Sequence, residues 1–122
     1  MSSTVEVIQP SGLFDGAKAK QLRRHVSDIM TTGVDVVLID LQDITFIDSS
    51  GLGGLISAQR IVQTANSQLF LCSVNNQAKM LFELTKMNQI FKIFVDREEF
   101  NSTVFGTEVD NMRQLCSSSH TT

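Results

Sequence analysis

The chain contains 122 residues, of which 42% are apolar, and its 10 basic and 13 acidic residues give a formal net charge of −3. This length fits one domain with one hydrophobic core, and no apolar stretch approaches the roughly 20 residues that span a bilayer. The sequence shows no basic stripe for phosphate contacts, and its N-terminus lacks the basic start and apolar run of a secretory signal. We therefore expect a cytoplasmic protein that neither binds nucleic acid nor inserts into a membrane.

Cysteine and histidine are too scarce to indicate a metal site or a disulfide framework. The chain has two cysteines, Cys72 and Cys116, and two histidines, His25 and His120. Their spacing is not that of a zinc site. Cys72 lies in an apolar run, where a free cysteine behaves as a small buried hydrophobe. We expect no metal and no cofactor.

The first half of the chain alternates between strand and helix patterns. Residues 5–8 predict a short strand, closed by a turn at residues 9–12, where a proline and a glycine occur. Asp15 is placed to cap a first helix, and Gly33 to end it in the left-handed conformation. Residues 34–40 form a continuous apolar run rich in β-branched side chains, which predicts a central strand covered on at least one face. The apolar positions of the helix are Leu22, Val26, Ile29 and Met30, and those of the connection after the central strand are Ile44, Phe46 and Ile47.

The second half continues the alternation. A second helix follows residue 51, a strand is predicted at residues 69–74, a third helix at about residues 76–85, and a short strand at residues 93–95. Asp96 and Glu99 then form a capping box. The apolar positions are Leu52, Leu55, Ile56, Ile61, Val62 and Ala65 in the second helix, and Ala78, Leu81, Phe82 and Leu84 in the third.

This alternation predicts a single α/β domain with parallel crossovers. We expect it to span residues 1–105 and to consist of a small mixed β-sheet of about four strands packed with about four helices. Residues 106–122 are polar and have little to bury, so we expect a partly disordered C-terminal extension.

The segment from Asp48 to Gly54 departs most from ordinary core and turn sequence. It links the central strand and its apolar extension to an amphipathic helix, and turns of this kind carry sites because helix N-termini expose unpaired N–H groups. Ser49 and Ser50 occupy N-cap-like positions. Each helical glycine costs about 1 kcal/mol relative to alanine, so three of them indicate close packing against another helix or against a partner protein. The three glycines are Gly51, Gly53 and Gly54.

Known catalytic and nucleotide-binding motifs do not fit this segment. It lacks the GK[ST] ending of a P-loop, the third glycine of G-x-G-x-x-G and the first glycine of G-x-S-x-G. Asp48 and Ser49 resemble a base and a nucleophile, but neighbouring residues at a turn rarely point together, and nothing in the sequence brings His25 near them. We therefore do not expect an enzyme.

Taken together, the chain resembles the STAS domains, and more narrowly the bacterial anti-sigma-factor antagonists. Residues 38–41, Leu-Ile-Asp-Leu, and residues 44–53, Ile-Thr-Phe-Ile-Asp-Ser-Ser-Gly-Leu-Gly, look like the family signature. Residues 11–15 are similar to the family's turn before its first helix. Residues 80–85 and 90–94 match its C-terminal half. The resemblance covers about residues 5 to 104 and implies a STAS-like fold.

The resemblance also implies a function. Such antagonists are phosphorylated on the serine after the aspartate, here Ser49, by a partner that is both a serine kinase and an anti-sigma factor. The unphosphorylated antagonist binds that partner and releases a sigma factor, and a PP2C-type phosphatase resets the switch. The partner-binding residues implied are Asp48, Ser49, Ser50, Gly51, Leu52 and Gly53.

Other readings remain open at this point. Only one strand is predicted before the first helix, where many relatives have two, and an exposed sheet edge would leave room for a homodimer. The runner-up function is a STAS adaptor subunit of another signalling or membrane-transport complex without a serine switch. A third hypothesis is nucleotide binding at the turn from Gly51 to Gly54. Without the resemblance, Ser50 is as good a phosphorylation site as Ser49.

Overall fold

A parallel four-stranded sheet forms the centre of the protein. The structure, a computed structural model, describes residues 4–104. The strands of the central sheet are β1 (Val5–Ile8), β3 (Val36–Asp40), β5 (Gln68–Cys72) and β6 (Lys92–Phe94), and they lie in the order β1-β3-β5-β6. The helices within this range are α1 (Gly16–Met30), α2 (Ser49–Thr64), α3 (Asn76–Thr85) and α4 (Arg97–Val104), with a 3₁₀ turn at Met87–Gln89. The predicted α/β fold with about four strands and four helices is confirmed.

Two further strands form a separate ladder that the sequence did not predict. The strands β2 (Ser11–Phe14) and β4 (Asp43–Ile47) pair in parallel, with a shift in register between Gly12 and Leu13. The sequence predicted a turn at residues 9–12 and an irregular connection after the central strand. Both predictions were wrong, because β2 begins within the first segment and β4 forms the second. So was the expectation of a single strand before the first helix, because β1 and β2 both precede α1. All ladders of the described chain are parallel, whereas a mixed sheet was expected.

The central sheet is covered on both faces. One core includes Val37 and Ile39 of β3 together with apolar residues of α1, α2 and α3. A smaller core on the other face contains Val36, Leu38 and Phe100 of α4. Because successive strand residues point to opposite faces, β3 is buried at all five positions. This confirms the prediction of a central strand.

The helices show how local signals set their ends. Asp15 caps α1, and its carboxylate accepts the Lys18 N–H at 3.2 Å. Gly33 has the expected positive φ of 82°, but the helix ends before it, at Met30, with Thr31 as the C-cap. The bounds of α3 agree with the prediction, but Leu84 is 76% exposed rather than buried. Leu84 lies two residues from the buried Phe82, which places it about 200° around the helix and away from the core.

The capping box at the start of α4 has a modified form. The Glu99 N–H donates to the Asp96 carboxylate at 2.8 Å, as predicted. The Glu99 carboxylate accepts the N–H of Val95 at 2.6 Å, one residue before the Asp96 N–H that a standard box would use.

The predicted C-terminal extension at residues 106–122, with Cys116 and His120, lies outside the described residues. Between residues 4 and 104, no helix has the length and apolar character needed to cross a bilayer.

Candidate functional site

Asp48 is the residue between β4 and α2, and it caps the N-terminus of α2. The Asp48 carboxylate accepts the Gly51 N–H at 2.8 Å, and the Asp48 N–H donates to the carbonyl oxygen of Phe14 at 3.4 Å. The sequence placed the two serines at N-cap-like positions, but they are the first two residues of the helix itself. An aspartate one residue earlier supplies the acceptor that reaches the third helical N–H. Ser49 and Ser50 are both exposed.

Two of the three glycines let α2 pack closely against its own chain. A Cβ built on Gly51 would lie 2.0 Å from the Phe14 carbonyl oxygen, and one built on Gly54 would lie 2.2 Å from the Cβ of Ala19 in α1. These approaches leave no room for any side chain at either position. Of the two explanations left open by the sequence, packing within the protein therefore accounts for Gly51 and Gly54.

Gly53 differs from its neighbours, because it is exposed and a Cβ there would meet nothing within 4 Å.

The geometry of this turn does not favour the hypothesis of nucleotide binding. The close approach at Gly51 involves a carbonyl oxygen of the protein itself, which would repel a phosphate. Gly51 and Gly54, two of the three glycines in the turn to which the hypothesis assigned the nucleotide, pack against other parts of the protein. The structure gives no physical support to the nucleotide hypothesis.

The two serines have different surroundings. A Cβ on Gly16, the first residue of α1, would lie 3.6 Å from the Ser50 Cβ and 4.0 Å from its hydroxyl oxygen. Ser50 therefore faces the start of α1, and the N-termini of α1 and α2 lie side by side. His25 lies nine residues beyond Gly16, about 14 Å along the helix axis, so it belongs to another part of α1.

Two side chains at the start of α3 hold β4 in place. The Gln77 amide accepts the Ile47 N–H and donates to the Ile47 carbonyl, both at 2.9 Å. The Asn75 amide donates to the Ile44 carbonyl at 3.1 Å and also caps α3 by accepting the Ala78 N–H at 2.8 Å. The Gln77 side chain thus bonds to β4 as a neighbouring strand would. The position of Asn75 before a helical pattern was a readable capping signal, but nothing in the sequence pointed to Gln77.

The six predicted partner-binding residues divide by burial. Gly51 and Leu52 are buried, Asp48 is partly buried, and Ser49, Ser50 and Gly53 are exposed. A protein docking at this turn therefore reaches a surface made of Asp48, the two serines and Gly53.

No group of three or more histidine, cysteine, aspartate or glutamate side chains is placed to hold a metal ion anywhere in residues 4–104.

Comparison with known proteins identifies the family. The STAS domain family model matches residues 2–100, which is most of the chain. The chain belongs to the STAS family. An anti-sigma-B factor antagonist from Listeria monocytogenes is 33% identical to this STAS domain over 83 residues, which are 68% of the chain and 73% of that relative. The resemblance inferred from the sequence is thereby confirmed.

Solved structures share the fold of this STAS domain. The anti-sigma factor antagonist SpoIIAA in its unphosphorylated form superposes with a TM-score of 0.73 at 20% identity, covering 87% of this chain and 92% of that one. The STAS domain of a SulP transporter from Vibrio cholerae gives a TM-score of 0.72 at 14% identity, covering 91% and 88%. The fold therefore serves proteins of both kinds, and the fold alone does not choose between them.

A buried aspartate within the STAS signature has a structural role that the sequence did not reveal. Asp40 has no exposed surface, and its carboxylate accepts Arg97 Nε of α4 at 2.6 Å and the Gln42 N–H at 3.0 Å. The Arg97 guanidinium also donates to Gln9, whose amide donates to Asp43 at 2.8 Å. This network connects the end of β3 to α4, to the β1–β2 connection and to the first residue of β4.

Proposed function

We propose that this STAS domain is an anti-sigma-factor antagonist switched by phosphorylation of Ser49. In its unphosphorylated form it binds an anti-sigma factor that is also a serine kinase, and the phosphorylated form is released. A PP2C-type phosphatase returns it to the binding form, and all three proteins act in the bacterial cytoplasm. The domain itself performs no catalysis.

One structural observation carries the proposal: Ser49 is exposed at the first position of a helix whose start is fixed by the protein itself. Ser50 faces the first residue of α1, so a kinase approaching from solvent reaches Ser49 with less obstruction. The similarity to the Listeria antagonist supports the role. SpoIIAA, which shares the fold, has been solved in an unphosphorylated and a phosphorylated form, and this supports a phosphorylation switch.

Phosphate at this position acts on the surface rather than on the fold. It adds about −1.5 to −2 charges, which the positive end of the α2 dipole stabilises by about 0.3–1 kcal/mol. The charge lies beside the Asp48 carboxylate on a surface that a partner would have to desolvate. A hundredfold loss of affinity requires only about 2.7 kcal/mol, which one mispaired charge in an interface supplies.

Phosphosite mapping in the native host tests the switch. We expect intact-mass and fragment mass spectrometry to find one phosphate on Ser49 in the wild type and in Ser50→Ala, and none in Ser49→Ala. With the kinase purified, Ser49→Ala should bind it as the wild type does, and Ser49→Asp at least tenfold more weakly. Ser102→Asp, exposed on α4, is the control for added charge and should bind as the wild type does. Equal binding by Ser49→Ala and Ser49→Asp would overturn the proposal.

The similarity to a SulP transporter STAS domain favours one second candidate, an adaptor without a serine switch. This function predicts no phosphate on either serine under any stress. It also predicts that Ser49→Ala and Ser49→Asp copurify with the same membrane protein in equal amounts. The same mass-spectrometry experiment therefore separates the two functions.

A further inference from the structure

An apolar pair lies uncovered on the outer face of the β2–β4 ladder. Leu13 and Phe46 are partners in the register of this ladder, and they are 48% and 46% exposed. The next residues in each strand, Phe14 and Ile47, are also paired and have no exposed surface. Because successive strand residues point to opposite faces, one face of the ladder belongs to the core and the other presents Leu13 and Phe46 to solvent.

This pair lies within reach of anything that contacts Ser49. Ser49 is three positions after Phe46, so their Cα atoms are at most about 11 Å apart. Leu13 lies one strand spacing, about 5 Å, from Phe46. A standard protein–protein interface covers about 800 Å² on each partner, which for a circular patch means a radius of about 16 Å. An interface of this size centred on Ser49 therefore extends as far as Phe46.

We propose that Leu13 and Phe46 are the apolar anchor by which the kinase that phosphorylates Ser49 docks on this domain. This inference rests on the proposed function and assigns a second task to the same surface. The pair supplies the affinity, and Ser49 supplies the switching. The partner carries an apolar pocket that accepts the Phe46 ring beside its phosphoryl-transfer site.

The surroundings of the pair suit an anchor. Interface hot spots are mostly aromatic or aliphatic groups at the centre of a patch, where charged residues are depleted. Phe46 is such a residue, and the Gln77 amide holds the next residue, Ile47, by two hydrogen bonds. Because the strand already fixes the backbone of Phe46, binding has to order only its side chain.

Phosphorylation kinetics distinguish docking from chemistry. The kinase is captured from the native host with Ser49→Ala as bait, identified, and produced as a recombinant protein. We expect Leu13→Thr and Phe46→Thr to raise the KM for phosphorylation of Ser49 at least tenfold and to leave kcat within twofold, because neither side chain touches the reacting atoms. Threonine preserves strand propensity, and urea unfolding verifies that both variants are folded.

Val95→Thr is the matched control. Val95 is 74% exposed and lies between β6 and α4, the helix on the face of the sheet opposite α2. The KM of Val95→Thr should therefore equal that of the wild type. An unchanged KM in Phe46→Thr, or an equal rise in Val95→Thr, overturns the anchor while the switch stands. If the wild type is a dimer and Phe46→Thr is a monomer with an unchanged KM, the pair serves self-association, and the proposal of a kinase anchor is overturned. If the wild type is not phosphorylated on Ser49, both proposals fail.

Discussion

The packing of α2 against α1 can be tested with a single methyl group at Gly54. In Gly54→Ala, the new Cβ would lie 2.2 Å from the Ala19 Cβ and 2.8 Å from its Cα. Carbon atoms in favourable contact are about 3.5–4.0 Å apart, so the helices must separate locally by more than about 1 Å. Neither methyl group can rotate away, because both are attached directly to the backbone.

Two opposing effects determine the net stability change. Overpacking a well-filled core costs typically about 1–3 kcal/mol, and a contact this short between backbone-rooted atoms places Gly54→Ala at the upper end of that range. Replacing a helical glycine by alanine returns about 1 kcal/mol. We therefore expect Gly54→Ala to lower the free energy of unfolding by about 2 kcal/mol.

Gly53→Ala is the matched control, one residue away in the same helix. Its Cβ would meet nothing within 4 Å, so only the helix propensity gain of about 0.5–1 kcal/mol applies, and the variant should be more stable than the wild type. In urea unfolding, with a slope of about 1–3 kcal/mol per molar, the midpoint of Gly54→Ala should fall by about 1 M and that of Gly53→Ala should rise slightly.

A second substitution identifies the cause of the destabilisation. Removing the opposing methyl group with Ala19→Gly should recover part of the stability lost in Gly54→Ala, although the same change alone is destabilising. Recovery should be incomplete because the Ala19 Cα remains only 2.8 Å away. If Gly54→Ala were as stable as Gly53→Ala, the close approach of α1 and α2 would be refuted, and with it our explanation of the glycines.

Three further predictions concern the residues around the site. Gln77→Ala removes both hydrogen bonds to the buried Ile47 backbone, so it should cost about 2 kcal/mol and speed hydrogen exchange at the Ile47 amide. Arg97→Ala leaves the buried Asp40 carboxylate without its ion pair, at a cost of about 2 kcal/mol in urea unfolding, less than for a fully buried pair because Arg97 is 45% exposed. Burial raises the pKa of the Cys72 thiol from 9.0 to about 11. Between these values the unfolded chain binds fewer protons, so stability should fall with rising pH, and Cys72→Ala should show a shallower fall.

The first two of these predictions have a control on the same element. Lys79→Ala, on the exposed face of α3, should leave both stability and the exchange rate at Ile47 unchanged, and equal exchange in Gln77→Ala would contradict the role of the amide. Ser102→Ala, exposed on α4, should be within about 0.5 kcal/mol of the wild type. Parallel stability curves for wild type and Cys72→Ala between pH 9 and 11 would argue against the raised pKa.

The sequence was most informative where a local signal was unambiguous. The bounds of α3 were predicted from its apolar positions, and they agree with the observed Asn76–Thr85. The strands β2 and β4 were missed because each has only four or five residues and is stabilised by a partner about 30 residues away. Gly12 has a positive φ of 79° inside β2, and a glycine close after a proline is a signal for a turn rather than for a strand.

The sequence singled out the turn from Asp48 to Gly54 as the candidate site, but it did not reveal the geometry of that turn. Aspartate and serine are nearly equal as N-caps, and three such residues occur in a row from Asp48 to Ser50, so capping preference could not choose among them. The glycines indicated close packing without naming its partner. Only the fold brings Phe14 and Ala19, which lie more than 30 residues earlier, against Gly51 and Gly54.

The start of α2 is held by contacts from four parts of the chain. The Asp48 carboxylate bonds to its third residue, α1 and the end of β2 pack against its glycines, and the Gln77 amide fixes the strand that leads into it. The side chain of Ser49 lies outside these contacts and is exposed. Under the proposed function, a phosphate on Ser49 therefore has little to disrupt inside the domain. The phosphate changes the free energy of binding a partner at this surface and leaves the free energy of unfolding nearly unchanged. The domain can therefore be switched repeatedly without unfolding.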